Sequence, residues 1–462
     1  MVWSRSRKQH FAAGVEDVWQ VVGDPRLLPD WNTAVAKVWL DAPPEVGVTG
    51  RLVPASRAAV VLQCVAKHPL RVIECQAPRR LVLEQRYPGG ALRIEWQLDE
   101  SGGGCDLVQR ISVSGPSTTA IALALAGSLT DGWADACARL HGLLDVSPAP
   151  DRLRVVIAGG SGMLGRALAA DLVCRGQEVM ILTRRRKPEV PHRQVEWDAR
   201  TIGPWANAVF ADPARTTVVN LAGRRVDVRP TAAAVADLRD SRVDATKALV
   251  DASNKSTTPL AYWVQGSTTA IWSDAGEAGI TESTELPHGD SALPQMTGVA
   301  RPWEAAAAGA RSDRFVILRT SIVLQPGAPA MNRLVRLTRA GLGGRVGSGR
   351  QWFSWIHLTD WLTVARAALG MDADVVVPDG VVIAAAPNPV RNSELMATLR
   401  RVLQRPPAPP TPAAMVRAGS VLLRADPALG LTGRHCTSAV LDKAGFDFTY
   451  PVIGLALGEL FS

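Results

Sequence analysis

Three glycines fall three residues apart in Gly159-Gly160-Ser161-Gly162-Met163-Leu164-Gly165, at positions 159, 162 and 165. In such a loop the first glycine permits a tight turn. The second lets backbone approach a pyrophosphate, and the third lets a helix pack on a strand. The pattern carries weight only between a strand and a helix. Here Leu153–Ala158 reads as a buried strand directly ahead of it, and a helical pattern continues to about Arg175. A second strand, Glu178–Thr183, follows at the spacing of a βαβ unit. A pyrophosphate would sit at the helix N-terminus, where unpaired N–H groups and the helix dipole favour anions.

The residues after that second strand read Thr183-Arg184-Arg185-Arg186-Lys187. An NAD-specific site places a carboxylate there, on the ribose 2′-hydroxyl. None is present, and an arginine can pair bidentately with a 2′-phosphate. The chemistry points to NADP, with NAD as the alternative. Strand–helix alternation continues through Thr217–Asn220, a helix running through Ser241–Thr246, Ala261–Gln265 and Phe315–Leu324. That order makes a mostly parallel, doubly wound sheet with ligands beyond the carboxyl ends of its strands. Asn220-Leu221-Ala222-Gly223, Ser267, Thr268, Arg319 and Thr320 all fall at such ends. The expected cofactor residues are Gly159 to Gly165, Thr183, Arg184 and Asn220 to Gly223.

These elements fill only part of a 462-residue chain, so two or three domains are expected. The segment Val146–Pro150 is a proline-punctuated linker. Ahead of it, short helices are expected at Val15–Val22 and around Leu27–Trp31. Strand-like runs follow at Val60–Lys67, Arg71–Gln76, Arg80–Tyr87, Ala91–Asp99 and Asp106–Ser114, and then one long helix from Ser117 to about Leu144. This is an α+β pattern in which a curved sheet wraps a helix. The expected units are 1–147, 151–380 and a smaller C-terminal region, 381–462.

Composition narrows the function classes. The chain is 47% hydrophobic and 20% charged, as a soluble globular protein is. Its apolar runs fall short of the ~18 residues a membrane span needs. The N-terminus lacks the apolar stretch of a signal peptide, so the default expectation is a cytoplasmic protein. The six cysteines are scattered, with no CxxC pair, and read as reduced core residues and not as a disulfide or zinc framework. Residues 1–150 balance 15 basic against 15 acidic side chains, so the net +8 belongs to the 36 basic and 28 acidic residues beyond. No basic stripe with interleaved aromatics marks a nucleic-acid partner. The expected partner is a small-molecule substrate.

Two resemblances follow. Phe11–Asn32, reading FAAGVEDVWQVVGDPRLLPDWN, together with the order of elements in 1–147, resembles the START-like (SRPBCC, polyketide-cyclase-like) helix-grip family. That implies an apolar interior able to hold a hydrophobic ligand, unless side chains fill it. GGSGMLG at 159–165, NLAG at 220–223, SRVDATKALV at 241–250, GLGGRVGSGRQWFSWIHLTD at 341–360 and PNPVRN at 387–392 resemble the epimerase-family proteins. These are atypical extended short-chain dehydrogenases/reductases with a small C-terminal domain of unknown function. The resemblance implies NAD(P) binding, leaves the substrate open, and by analogy suggests a homodimer.

The wider superfamily transfers protons with a Tyr-x-x-x-Lys pair. Here the alignment on Trp303-Glu304 puts Met296 and Ala300 at those two positions, and no lysine occurs between Lys255 and Lys443. In Gly266–Ser273 the family's two loop tyrosines are Ile271 and Trp272. The remaining catalytic candidates are the hydroxyls of Ser267, Thr268 and Thr269 and, in the 341–360 motif, His357, Asp360 and Arg350. Histidine is the group suited to proton transfer near neutral pH, although His357 and Asp360 can equally serve to orient their loop and helix. Three readings follow: an NADP-dependent oxidoreductase or epimerase-like enzyme, an NADP-binding sensor without turnover, and a carrier of an apolar ligand.

Overall fold

The computed structural model describes residues 2–56, 68–117, 121–122, 127–130, 132–146, 149, 152–226, 228–372, 374–423 and 426–461. Near the N-terminus, β1 (Val2–Phe11), β2 (Val35–Leu40), β3 (Thr49–Pro54), β4 (Leu70–Gln76), β5 (Arg80–Tyr87), β6 (Gly90–Ser101) and β7 (Gly104–Ser114) form one antiparallel sheet. Its order is β1-β7-β6-β5-β4-β3-β2. Alternation supplies the core: Cys105, Leu107, Ile111 and Val113 of β7 point inward with Leu92, Ile94, Trp96 and Leu98 of β6. Trp31 and Trp96 meet edge to face at 6.3 Å beneath the helix Trp133–His141.

The sequence expectation is corrected in two places here. The helix expected over Ser117–Leu144 is interrupted, because Gly132 lies at φ +78 between the helices Gly127–Thr130 and Trp133–His141. The strands β1, β2 and β3 carry no clear apolar alternation in the sequence. β1, with Ser-Arg-Ser-Arg-Lys-Gln-His at its centre, is an edge strand paired only to β7. The strand expected over 60–67 lies outside the described residues. A water-sized gap in the interior of this domain is lined by Leu52, Leu83, Tyr87 and Ile94.

The second sheet is parallel throughout: β8 (Arg154–Ala158), β9 (Glu178–Thr183), β10 (Arg193–Glu196), β11 (Thr216–Asn220), β12 (Leu260–Thr268), β13 (Ser312–Thr320) and β14 (Gly380–Ala384). Its order is β10-β9-β8-β11-β12-β13-β14. The chain direction of growth reverses between β8 and β11, the switch point where such sheets bind ligands. Val155, Ile157, Val219, Val264 and Val316 face one layer of helices, and Val156, Ala158, Met180, Val218 and Trp263 face the other.

The run Phe315–Leu324, expected as one strand, divides at Ser321, whose N–H and hydroxyl both donate to the Ala384 carbonyl. Ile322–Leu324 then pairs in parallel with Trp355–His357. β14 spans the expected boundary at 380, and the helices Asn392–Val402 and Ile453–Phe461 pack with Leu324, Met331 and Trp355 in a core of their own.

The N-terminal domain rests on the helix Met163–Cys174. Arg166 Nε donates to Asp135 Oδ1 at 3.0 Å, and Ala12 N donates to the Cys174 carbonyl at 2.8 Å. Arg7 of β1 meets Glu459 of the last helix at 2.5 Å.

Candidate functional site

At the carboxyl end of β8, Gly159 takes φ +80, and a Cβ there would lie 2.6 Å from the Leu221 carbonyl oxygen. A Cβ on Gly165 would lie 2.6 Å from both the Gly159 oxygen and the Gly160 Cα. Either substituent would force the turn apart. Gly162 caps the helix Met163–Cys174 in extended backbone, with Gly162 and Met163 exposed at its mouth and Ser161 and Leu164 half-buried. The first-turn N–H groups of such a helix have no intrahelical acceptor. The turn is therefore an open cradle of backbone donors at the switch point of the sheet.

At the end of β9, the Thr183 hydroxyl donates to the Arg185 carbonyl at 2.9 Å and so fixes the turn. Arg184, Arg185 and Arg186 are exposed, and none has an ion-pair partner among the described residues. Glu196, at the end of β10, accepts from the Arg186 backbone N–H.

The third wall is Asn220–Gly223. Asn220 is fully buried, its Nδ2 donating to Thr246 Oγ1 at 2.7 Å and to Gln265 Oε1 at 3.1 Å, while Oδ1 accepts from Ala222 N. It shapes the loop from below. Leu221 N extends the β8 ladder to Ala158 O at 2.8 Å. Arg242, which the sequence reading did not single out, holds this loop from the side by donating to the Leu238 and Arg224 carbonyls at 2.9 Å each. Its guanidinium lies over Trp303 at 5.1 Å. Burial without a carboxylate partner pulls its pKa down to about 10.

At the ends of β12 and β13 the hydroxyl and carboxylate chemistry is already committed. Ser267 Oγ donates to Glu304 Oε1 at 2.5 Å, and Arg319 clasps the same carboxylate at 2.9 and 2.8 Å. The Ser267 proton is thus directed away from any ligand. Thr268 Oγ1 accepts from Ala270 N and caps the turn Thr269–Trp272, and Thr320 Oγ1 accepts from Trp361 Nε1. Met296 and Ala300, at the positions of the missing pair, are buried; Ala300 packs against Ile271, Trp272 and Cys436. Glu304 was visible in the sequence only as an alignment anchor. Arg242 was visible only as part of the motif SRVDATKALV, and no sequence signal marked Arg434.

His357 is buried and occupied on both ring nitrogens. Nδ1 accepts from Thr359 N at 3.2 Å, so Nε2 carries the proton and donates to Glu459 at 3.1 Å. Asp360 accepts from the Thr449 and Tyr450 N–H groups at 2.8 and 3.1 Å; burial raises its pKa against those bonds. Both side chains therefore orient the helix Leu358–Ala368 and the C-terminal loop. Arg350 is exposed, and its carbonyl accepts from Arg391.

Among the described residues no group of histidine, cysteine, aspartate and glutamate could hold a metal ion, and no helix is long and apolar enough to cross a membrane. Residues 155–384 match the NAD dependent epimerase/dehydratase family, and residues 3–141 match the polyketide cyclase / dehydrase and lipid transport family. The chain is similar to the epimerase family protein SDR39U1 of Homo sapiens, at 31% identity over 67% of this chain and 99% of that protein. It is also similar to a chloroplastic SDR39U1 homolog of Arabidopsis thaliana, at 30% identity over 67% of this chain and 87% of the homolog. Human SDR39U1 has been crystallised with NADPH. That structure aligns at TM-score 0.57 and 29% identity over 67% of this chain and 99% of its own. A nucleoside-diphosphate sugar epimerase from Corynebacterium glutamicum shares the fold over 99% of this chain and 90% of its own, at 23% identity and TM-score 0.57. From its glycine turn to its C-terminal helices the chain belongs to the epimerase family typified by SDR39U1, with an SRPBCC-like domain fused ahead of the Rossmann domain.

Proposed function

We propose that this protein is an NADP-dependent oxidoreductase, or an epimerase-like enzyme of the same type, acting on a small carbonyl or hydroxyl compound. The observation that carries the reading is the pairing of an open glycine turn at the switch point with three exposed, unpaired arginines at the end of β9. In the loop Gly159–Gly165, the N–H groups of Ser161, Met163 and Leu164 suit a pyrophosphate, while those of Gly160 and Gly162 close the turn onto Ile157 and Gly159. Arg184 suits the 2′-phosphate, with Thr183 holding its turn and Asn220 to Gly223 forming the opposite wall. The bound nucleotide would supply or accept hydride. This chain's own residues bind and orient it, and the buried Met296, Ala300 and Trp272 keep water from the reacting face. With the Ser267 proton given to Glu304 and both His357 nitrogens occupied, the proton reaching substrate would come from solvent or from the substrate itself.

The absence of an acid at Met296 and Ala300 also supports a second reading, an NADP sensor without turnover. Fluorescence titration of NADPH and NADH against the wild type and Arg184→Asp tests the cofactor assignment. NADPH should bind more tightly to the wild type. The variant should lose about tenfold toward NADPH, at the low end of the ~1.5–3 kcal/mol of a charge-assisted hydrogen bond, and keep its NADH affinity. Equal losses for the two nucleotides would overturn the Arg184 assignment. Turnover of NADPH with any member of a carbonyl panel separates the enzyme from the sensor.

A further inference from the structure

Arg434 is a largely buried cation that no carboxylate hydrogen-bonds among the described residues. It lies between the helix Ala428–Leu431 and the short strand His435–Cys436. Its Nε donates to the Ser273 carbonyl at 2.5 Å, and its Nη2 donates to Thr432 Oγ1 at 3.0 Å and lies 3.5 Å from Met296 Sδ. All three are neutral groups. The neighbouring acid, Asp274, spends Oδ1 on the Gly433 N–H at 3.1 Å and acts on the guanidinium through its charge, with no hydrogen bond between them among the described residues. Nη1 makes no hydrogen bond among the described residues and is not sealed from solvent. Burial lowers the pKa of the group by more than the nearby Asp274 charge raises it.

The other arginines of this region differ. Arg319 is neutralised by both oxygens of Glu304. Arg242 has no carboxylate either, but each of its Nη groups is satisfied by a backbone carbonyl. Arg434 alone of the three combines a guanidinium that no carboxylate hydrogen-bonds with a terminal nitrogen open to solvent.

Its location is also built and not incidental. Ser273 sits at φ 55, ψ −120, a conformation that costs a non-glycine residue about 1–3 kcal/mol and persists only when its surroundings over-determine it. Those surroundings are the Ser273 hydroxyl, bonded to Thr297 Oγ1 at 2.6 Å and to Leu293 N at 2.9 Å in a fully buried turn. The strained turn aims the Ser273 carbonyl at Arg434. It follows directly from the carboxyl end of β12, on the side of the sheet where ligands bind, and it places the guanidinium beside Met296.

We propose that Arg434 anchors an anionic oxygen group of the substrate, a carboxylate or a phosphate, through Nη1. This rests on the cofactor reading above and adds the substrate class: a small anionic carbonyl or hydroxyl compound. The anion adds to the partial counter-charge of Asp274 a direct partner for Nη1.

The test is calorimetric titration of NADPH-loaded protein with inorganic phosphate and with acetate, using acetamide as the uncharged counterpart of acetate. The wild type should bind one of the two anions at millimolar concentration and should not bind acetamide; which anion binds identifies the group. Arg434→Gln should weaken that binding at least about tenfold, ~1.4 kcal/mol, and Arg434→Lys should retain most of it, both with unchanged NADPH affinity. Equal anion affinity in wild type and Arg434→Gln, or binding of neither anion by the wild type, would overturn the proposal. Should Arg434→Gln fail to fold, the wild type alone decides: the favoured anion must raise its Tm above that in chloride at equal ionic strength, and an unchanged Tm counts against the site. Loss of NADPH binding in the wild type would overturn the cofactor reading instead. Anion binding that persists without NADPH and disappears in Arg434→Gln would still support the anchor.

Discussion

Replacing Glu304 by glutamine keeps the side-chain volume and removes one charge from a pair that is almost closed to water. The Arg319 and Glu304 side chains are 7% and 10% exposed and share two parallel N–H···O bonds of 2.9 and 2.8 Å. The same carboxylate takes the Ser267 proton, so one residue of the helix Thr297–Ala306 joins the ends of β12 and β13. Breaking a buried pair on one side costs about 3–5 kcal/mol, because the remaining charge stays buried. Here Trp272, with Arg319 4.7 Å from its ring centroid, retains part of the compensation, since a desolvated cation–π contact is worth up to about 2 kcal/mol. The expected loss is therefore near the lower bound, about 3 kcal/mol, or roughly 6–12 °C in Tm for a domain of this size. Denaturant unfolding followed by tryptophan fluorescence measures it. The double variant Glu304→Gln/Arg319→Met removes both charges and should recover most of the loss. A cost below about 1 kcal/mol for Glu304→Gln, or a double variant as unstable as the sum of the single ones, would refute the claim that this pair is desolvated and coupled.

Two further outcomes follow from the geometry. Gly165→Ala should abolish measurable NADPH binding, because its Cβ would meet the backbone of Gly159 and Gly160 at 2.6 Å; fluorescence titration checks this, and near-wild-type affinity would mean that the turn is softer than its contacts indicate. Burial, with repulsion from Arg166 and Arg139, depresses His192 from 6.5 to about 4. The unfolded chain therefore takes up a proton on falling below pH 6.5 before the folded one does, and stability drops between pH 6.5 and 4 by at most about 3 kcal/mol at ~1.4 kcal/mol per pH unit. His192→Leu should flatten that limb in urea titrations at several pH values, and an unchanged slope would exclude His192 as its source.

The Rossmann half was legible because its signals are local. Apolar runs of β-branched residues mark β8, β9 and β11, and the glycine spacing marks the turn, so boundaries such as Glu178–Thr183 could be read directly. The strands β1 to β3 were not legible. An edge strand such as β1 buries little, and its polar run takes its structure from the register with β7, a partner about 100 residues away. The cofactor loop was visible for the same local reason that hid the rest of the site. Glu304, Arg242 and Arg434 act through partners 15, 18 and 161 residues distant in sequence, and no spacing rule reaches them. His357 shows the converse. Its residue type suggested proton transfer, yet its backbone position at a helix N-cap and the Glu459 carboxylate on its other nitrogen commit it to architecture.

The contacts between the domains bear on the carrier reading. The helix that begins at the glycine turn is held by the N-terminal domain at both ends: Arg166 in its first turn pairs with the buried Asp135, and the Cys174 carbonyl at its last residue accepts from Ala12 N. Glu459 couples a third element, accepting from Arg7 of β1 and from His357 at once. A domain that leaves to deliver a ligand would strip Asp135 and Arg7 of their partners, and uncompensated charges of this kind are the costly outcome of breaking partly buried pairs. Cys174 also belongs to the apolar core of the N-terminal domain, so separation would expose hydrophobic surface as well. The interface is thus built to stay closed. The SRPBCC-like domain is better understood as a fixed brace behind the cofactor helix than as a shuttle moving away from it.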